Sequence, residues 1–121
     1  MALILIIDDS PTETHAMRTA LEKGGFKTVV AKDGQEGVRI AREMQPNLIF
    51  MDVVMPGMNG YQATRAIVSD PATNKIPVVM VTSKGLETDK VWGMRQGAVD
   101  YLVKPVPADT LVRKAQAALA A

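Results

Sequence analysis

Leu48-Ile49-Phe50-Met51-Asp52-Val53-Val54-Met55-Pro56-Gly57 is an apolar run that carries one carboxylate and ends in a Pro-Gly turn. A continuous apolar run of this length, closed by turn residues, reads as a strand covered on both faces, as in a parallel sheet. Asp52 then stands where the chain leaves the sheet. In open parallel sheets ligands bind at that carboxyl edge, because loops and helix N-termini converge there. Taken alone, Asp52 could equally cap the turn that follows; the segments on either side decide between the two readings.

Those segments alternate. Ala2 to Ile7 is apolar throughout and ends in Asp8-Asp9, a second buried-type strand with acids at its carboxyl end. Ser10-Pro11-Thr12-Glu13 opens a helix: Ser10 caps, Pro11 suits the first turn and Glu13 completes a capping box. Met17, Ala20 and Leu21 form its inner face, and Gly24-Gly25 ends it. Phe26 to Ala31 is a short strand. Asp33-Gly34-Gln35-Glu36 starts the next helix in the same way, with Val38, Ala41 and Met44 at helical spacing and Pro46 beyond its end.

After the Asp52 strand, Gly60 to about Val68 reads as a helix with Ala63, Ile67 and Tyr61 inward, broken by Asp70-Pro71. Ile76 to Thr82 is a fourth strand, with Pro77 near its start where it is tolerated. Leu86 to Gln96 is a helix with Val91 and Met94 on its inner side and Trp92 off it. Ala98 to Val103 is a fifth strand ending in Lys104-Pro105, and from Pro107 onward Leu111, Ala115, Ala118 and Leu119 mark a last amphipathic helix. Five strands alternating with five helices predict an α/β fold, a parallel sheet with helices on both faces. Met17, Met44, Met51 and Met80 fall at core-type positions and read as packing.

Composition sets the outer bounds. A chain of 121 residues is expected to form one domain over residues 1–121, with no repeat or linker. With 47% hydrophobic and 22% charged residues it is globular rather than disordered. No apolar run approaches the roughly 20 residues of a membrane span, and the start lacks a signal-peptide pattern, so a cytoplasmic location without membrane insertion is expected. A net charge of +1 with no basic run gives nucleic-acid binding no support. The absence of cysteine excludes disulfides, thiolate metal sites and Cys nucleophiles, and the single His15 cannot build a His-rich site.

The strand ends carry the chemistry. Strand one brings Asp8 and Asp9, strand three Asp52, strand four Thr82 and Ser83, strand five Lys104, all to one edge. Three carboxylates brought together repel one another, and a hard divalent cation with oxygen ligands relieves them. Mg²⁺ fits best, since it takes one or two carboxylates plus waters and then phosphate oxygens. Lys104 adds charge neutralisation, Thr82 a hydrogen bond and Asp52 a carboxylate nucleophile, which together point to aspartyl phosphorylation.

These motifs resemble the receiver domain of two-component response regulators. The resemblance rests on Ile6-Ile7-Asp8-Asp9-Ser10, Asp52 to Gly60, Val81-Thr82-Ser83 and Gly97 to Pro105, and it spans essentially the whole chain. Around Pro11-Thr12-Glu13, Gln62-Ala63-Thr64-Arg65 and Glu87 to Gly93 the chain is similar to the stand-alone receivers of the chemotaxis-like pathway controlling type IV pili and twitching motility. The resemblance implies a flavodoxin-like doubly wound sheet in the order 2-1-3-4-5. It implies that Asp52 accepts a phosphoryl group from a sensor histidine kinase, and that Asp9, Asp52 and the Val54 carbonyl hold Mg²⁺, with Asp8 reaching it through water. Lys104 would pair with the phosphoryl oxygens. Thr82 and Tyr101 would act as the switch, changing the surface of the fourth helix, fifth strand and fifth helix for a downstream protein. The Lys104-Pro105 bond is expected to be cis, and no output domain is expected.

Two other classes compete. A phosphatase with an aspartate nucleophile would share Mg²⁺, Asp, Thr and Lys, but as a family such enzymes carry a second acid two residues after the nucleophile, where this chain has Val54. A receiver serving as a phosphate-independent scaffold would not need the complete set of phosphorylation residues found here. The expected role is therefore a switch rather than an enzyme. Tyr101 could also be an ordinary strand aromatic, and Trp92 either a cover for its helix or an anchor for a partner.

Overall fold

The computed structural model describes residues Met1–Ala121. The elements follow the chain as β1 (Leu3–Ile7), α1 (Pro11–Lys23), β2 (Lys27–Ala31), α2 (Gly34–Met44), β3 (Leu48–Met51), α3 (Gly60–Ser69), β4 (Val78–Thr82), α4 (Glu87–Gln96), β5 (Asp100–Val103) and α5 (Ala108–Ala120). All four strand pairings are parallel, in the order β2-β1-β3-β4-β5. This is the flavodoxin-like doubly wound sheet that the alternation and the resemblance together imply. No helix is long and apolar enough to cross a membrane.

The apolar runs lack a hydrophobic alternation because both sheet faces are covered, and the strands divide their side chains between two cores. Leu5, Ile7, Ile49, Met51, Val78 and Met80 pack with Ile40 and Ala41 of α2 and Ala63 and Ile67 of α3. Ile4, Ile6, Leu48, Phe50, Val79 and Val81 pack with Met17, Ala20 and Leu21 of α1 and Leu111 and Ala115 of α5. Strand ends are one or two residues tighter than the apolar runs: Asp52 lies just past β3, and Ile76 and Pro77 lie before β4.

Register continues past the strands, and that continuation positions the edge. Asp8 N–H donates to the Ala31 carbonyl (3.1 Å), Asp52 N–H to Ile7 (2.9 Å) and Lys104 N–H to Thr82 (2.8 Å). Three residues that have left the sheet are thereby still pinned to the last carbonyl of a neighbouring strand.

Local starts and stops depart from the sequence reading in three places. Ser10 Oγ accepts from Glu13 N–H (3.3 Å) as a cap should, but Ser10 N–H donates to Asp8 Oδ1 (2.9 Å) and the Glu13 carboxylate turns to Lys104. The capping box is therefore half formed. α4 buries Gly93 and Gln96, leaving Val91 and Met94 exposed with Trp92, so the inner face assigned to Val91 and Met94 is corrected. An alanine Cβ at 93 would stand 2.9 Å from the Tyr101 ring and from Met80 Sδ, so only a glycine lets the helix settle there. Met44, at the last turn of α2, is exposed rather than in the core.

Candidate functional site

Asp8, Asp9 and Asp52 meet at the carboxyl edge of β1 and β3, offering carboxylate oxygens within 4.8 Å of one another. Asp8 and Asp52 are buried, and Asp9 is exposed at the rim. One oxygen of each buried acid is held by backbone: Asp52 Oδ1 accepts from Val53 N–H (2.8 Å) and Asp8 Oδ1 from Ser10 N–H. The other oxygens face Lys104. Its Nζ lies 3.0 Å from Asp8 Oδ2 and 3.7 Å from Asp52 Oδ2, and it also pairs with Glu13 Oε2. The Lys104-Pro105 peptide bond is cis.

Electrostatics follow from this crowding. Burial pushes the Asp52 carboxyl above its ordinary value and Asp8 pushes it further, while Lys104, Val53 N–H and the Thr82 hydroxyl pull it down without prevailing. For Lys104, burial would lower the ammonium, but Glu13, Asp8 and Asp52 outweigh it and raise it. Lys104 is thus a secured cation beside an acid cluster that still holds excess negative charge. An all-oxygen donor set with that excess fits a hard divalent cation, and nothing in it favours a soft one.

The remaining residues singled out by sequence lie around this cluster. Thr82 is fully buried at the end of β4, its Oγ1 accepting from Lys84 N–H (3.3 Å). The Val54 side chain is exposed beyond Asp52. Tyr101 is half-buried on β5 against the first core, and its hydroxyl donates to the Lys84 carbonyl (2.7 Å) and meets Tyr61 Oη at 3.3 Å. Tyr61 Oη in turn donates to the Asp89 carbonyl in α4 (3.2 Å). Burial, then Tyr61, pushes the Tyr101 phenol well above its usual range, so the hydroxyl stays protonated and available as a donor.

Three participants were not picked out by the sequence reading. Glu13 was assigned to its own helix cap, and Tyr61 only to packing. Gly60, the first residue of α3, is a third: its N–H donates to Val53 (2.9 Å), and a Cβ there would stand 2.8 Å from Val53 Cα with the Asp52 carbonyl closer still.

The response regulator receiver domain family matches residues 4–116. Protein PilH of Pseudomonas aeruginosa is 53% identical over 120 residues, covering 99% of each chain. Several other curated relatives are 35–36% identical and are spanned over about half their length (49–52%). Among solved structures, chemotaxis protein CheY4 of Vibrio cholerae superposes with a TM-score of 0.93 at 30% identity, covering 98% of this chain and 99% of that one. The receiver domain of sensor histidine kinase PA1611 from Pseudomonas aeruginosa, solved with a magnesium ion coordinated in its active-site cleft, gives 0.92 at 28% identity, covering 99% and 98%.

Proposed function

The chain belongs to the response regulator receiver family, and on that footing we propose that it is a stand-alone phosphorylation switch in which Asp52 is the phosphoryl acceptor. The observation that carries this reading is the convergence of Asp8, Asp9 and Asp52 with the Lys104 ammonium at one sheet edge, beside the Thr82 hydroxyl. An Asp52 oxygen attacks the phosphorus of a phosphohistidine on a sensor histidine kinase. A P–O bond forms as the P–N bond breaks, and the imidazole leaves with the electron pair. Lys104 supplies positive charge to the phosphoryl oxygens, and the Thr82 hydroxyl donates a hydrogen bond to one of them. Mg²⁺, held by Asp9, Asp52 and the Val54 carbonyl with Asp8 acting through water, would neutralise charge developing on those oxygens.

Tyr101 carries the change outward. Its hydroxyl is bonded to the Lys84 carbonyl, two residues past Thr82, so a shift at Thr82 is felt at Tyr101 and on the surface of α4, β5 and α5. A downstream protein reads that surface; neither nucleic acid nor membrane insertion enters the scheme. We assign residues 1–121 to a single receiver domain acting in the cytoplasm, as a regulator and not an enzyme. The 53% identity to Protein PilH and the Pro11-Thr12-Glu13 and Glu87 to Gly93 segments support chemotaxis-like control of twitching motility.

The test is Asp52→Asn. With a competent histidine kinase and Mg²⁺, the parent acquires an acid-labile phosphoryl group and the variant does not, while its fold is retained. Phosphotransfer kept by the variant would put the acceptor elsewhere.

A further inference from the structure

Three carboxylates surround one ammonium at this edge, and they do not share it equally. Lys104 Nζ is in hydrogen-bond range of Glu13 and of Asp8 (3.0 Å), but stands 3.7 Å from Asp52. The acid proposed to carry the phosphoryl group is therefore the least well served. Glu13 is placed to cause this. It is the third residue of α1, fixed by the Ser10 cap and by Pro11 at the helix start.

The two closer partners differ in freedom. The Asp8 side chain is 2% exposed and tied to Ser10 N–H, so it cannot leave without abandoning a buried bond. The Glu13 side chain is 43% exposed and has no other hydrogen-bond partner, so it can turn into water at small cost. It also lines an open groove of about 400 Å³ with Met17, Lys104, Pro105, Val106 and Leu111, which gives it room to turn.

We infer that Glu13 is a positioning residue for Lys104: it holds the ammonium off Asp52 in the unmodified protein and gives it up when a phosphoryl group arrives on Asp52. This rests on the phosphoryl-acceptor reading above. Glu13 thereby sets a threshold, because every phosphoryl–Lys104 contact forms at the expense of a Glu13–Lys104 contact. Asp8 remains bonded to Lys104 in both states and acts as its pivot.

Beryllofluoride with Mg²⁺ is the probe, titrated into the intact protein and followed by the Val53 amide resonance. Glu13→Gln keeps the length of the side chain and removes its charge. It should bind about three- to fivefold more tightly than the parent, the scale of one partly exposed ion pair. The ¹⁵N resonance of the Lys104 ammonium, assigned by its loss in Lys104→Arg, supplies the second readout: losing Glu13 moves it in any case, but only release of the ammonium toward Asp52 moves it in the direction of the beryllofluoride-bound position. In the free Glu13→Gln protein it should already lie toward the position the parent reaches only with beryllofluoride. Glu13→Ala should behave the same way, which covers any folding defect of one variant. Equal affinities overturn the inference, as does tighter binding with a Lys104 resonance that does not move toward the beryllofluoride-bound position. A parent that fails to respond to beryllofluoride at all would instead overturn the acceptor reading.

Discussion

Gly60→Ala tests whether the placement of Asp52 depends on a close approach outside the charged cluster. Gly60 opens α3, and its N–H bonds Val53, so the turn from β3 folds the start of α3 back onto the residues that follow the strand. An alanine Cβ would stand 2.8 Å from both Asp52 C and Val53 Cα. Carbon atoms rest at about 3.5–4.0 Å, so backbone on one side must move by at least roughly 0.7–1.2 Å, the Asp52 carbonyl oxygen being closer still. No rotamer can relieve this, since the obstructing atoms are main chain. Alanine is the better helix former by about 0.8–1 kcal/mol in a helix interior, of which only a fraction favours the variant at this first helical position. Overpacking of about 1–3 kcal/mol opposes it and should prevail here. For a chain of this length that corresponds to a fall in Tm of about 4 °C per kcal/mol, from an unfolding entropy of roughly 2.1 cal/mol/K per residue.

The functional loss should exceed the loss of stability, because a displacement of about 1 Å at a reacting group costs on the order of 100-fold in rate. Thermal melts and the initial rate of phosphoryl uptake from a histidine kinase measure the two effects on one preparation. Gly57→Asn is the matched control: Gly57 has φ of 73° with nothing within 4 Å of the place a Cβ would take, and Asn tolerates that conformation. If Gly60→Ala melts with the parent and takes up phosphoryl at the parent rate, the approach of α3 does not position Asp52 and the reasoning is wrong.

Three further outcomes are expected. Asp9→Ala should weaken Mg²⁺ binding yet leave the metal-free protein equally or more stable, because it removes one of three crowded acids; melts with and without Mg²⁺ check this, and a clear loss in the metal-free protein counts against it. Asp52→Asn should carry a pH signature in EDTA: a carboxyl raised above its ordinary 3.8 in the fold contributes stability that is full below that value and lost as pH rises through the folded pKa. Denaturant titrations should therefore find the Asn variant gaining on the parent as pH climbs from about 4 toward neutrality, and no gap at low pH. Val54→Asn with Lys84→Glu should shorten the phosphoryl lifetime, because valine has no group to hold an attacking water and a charged lysine cannot accept its proton; decay after donor removal that is no faster than the parent's refutes it.

Strands and acids were legible because each strand is a short apolar run with its own terminator, and a buried parallel strand needs nothing more. The position of Asp8, Asp52 and Lys104 on one edge followed from the alternation alone. Their pairing did not. A local rule sent Glu13 back to its own cap, but an ammonium supplied from 91 residues away offers a charged partner where the cap offers a neutral N–H. The inner face of α4 failed for a similar reason: Val91 and Met94 are the apolar choices at helical spacing, yet the Tyr101 ring and Met80 lie under the helix and admit only Gly93. Sequence spacing reports what a helix could bury, while the surface beneath it decides what fits.

That misfit has a consequence for how a signal would travel. α1, α2, α3 and α5 each bury at least one aliphatic or alanine side chain in a core, whereas α4 buries a glycine and a glutamine. Its N-cap, Leu86, makes no side-chain cap bond, and its first turn is tied to the body through the Tyr61 bond to Asp89 and the Lys84–Asp89 pair at 3.8 Å. A neutral hydrogen bond contributes about 0.5–1.5 kcal/mol and an exposed ion pair less, so the start of α4 can be displaced for a small fraction of what moving α3 would cost. Thr82 is joined to that start by Ser83, Lys84, Gly85 and Leu86 alone, and Tyr101 holds the middle of this loop at the Lys84 carbonyl. A pull on the Thr82 hydroxyl would therefore meet its least resistance toward α4, and on the proposed switch reading the tyrosine pair, rather than any rearrangement of the sheet, would decide how far the helix follows.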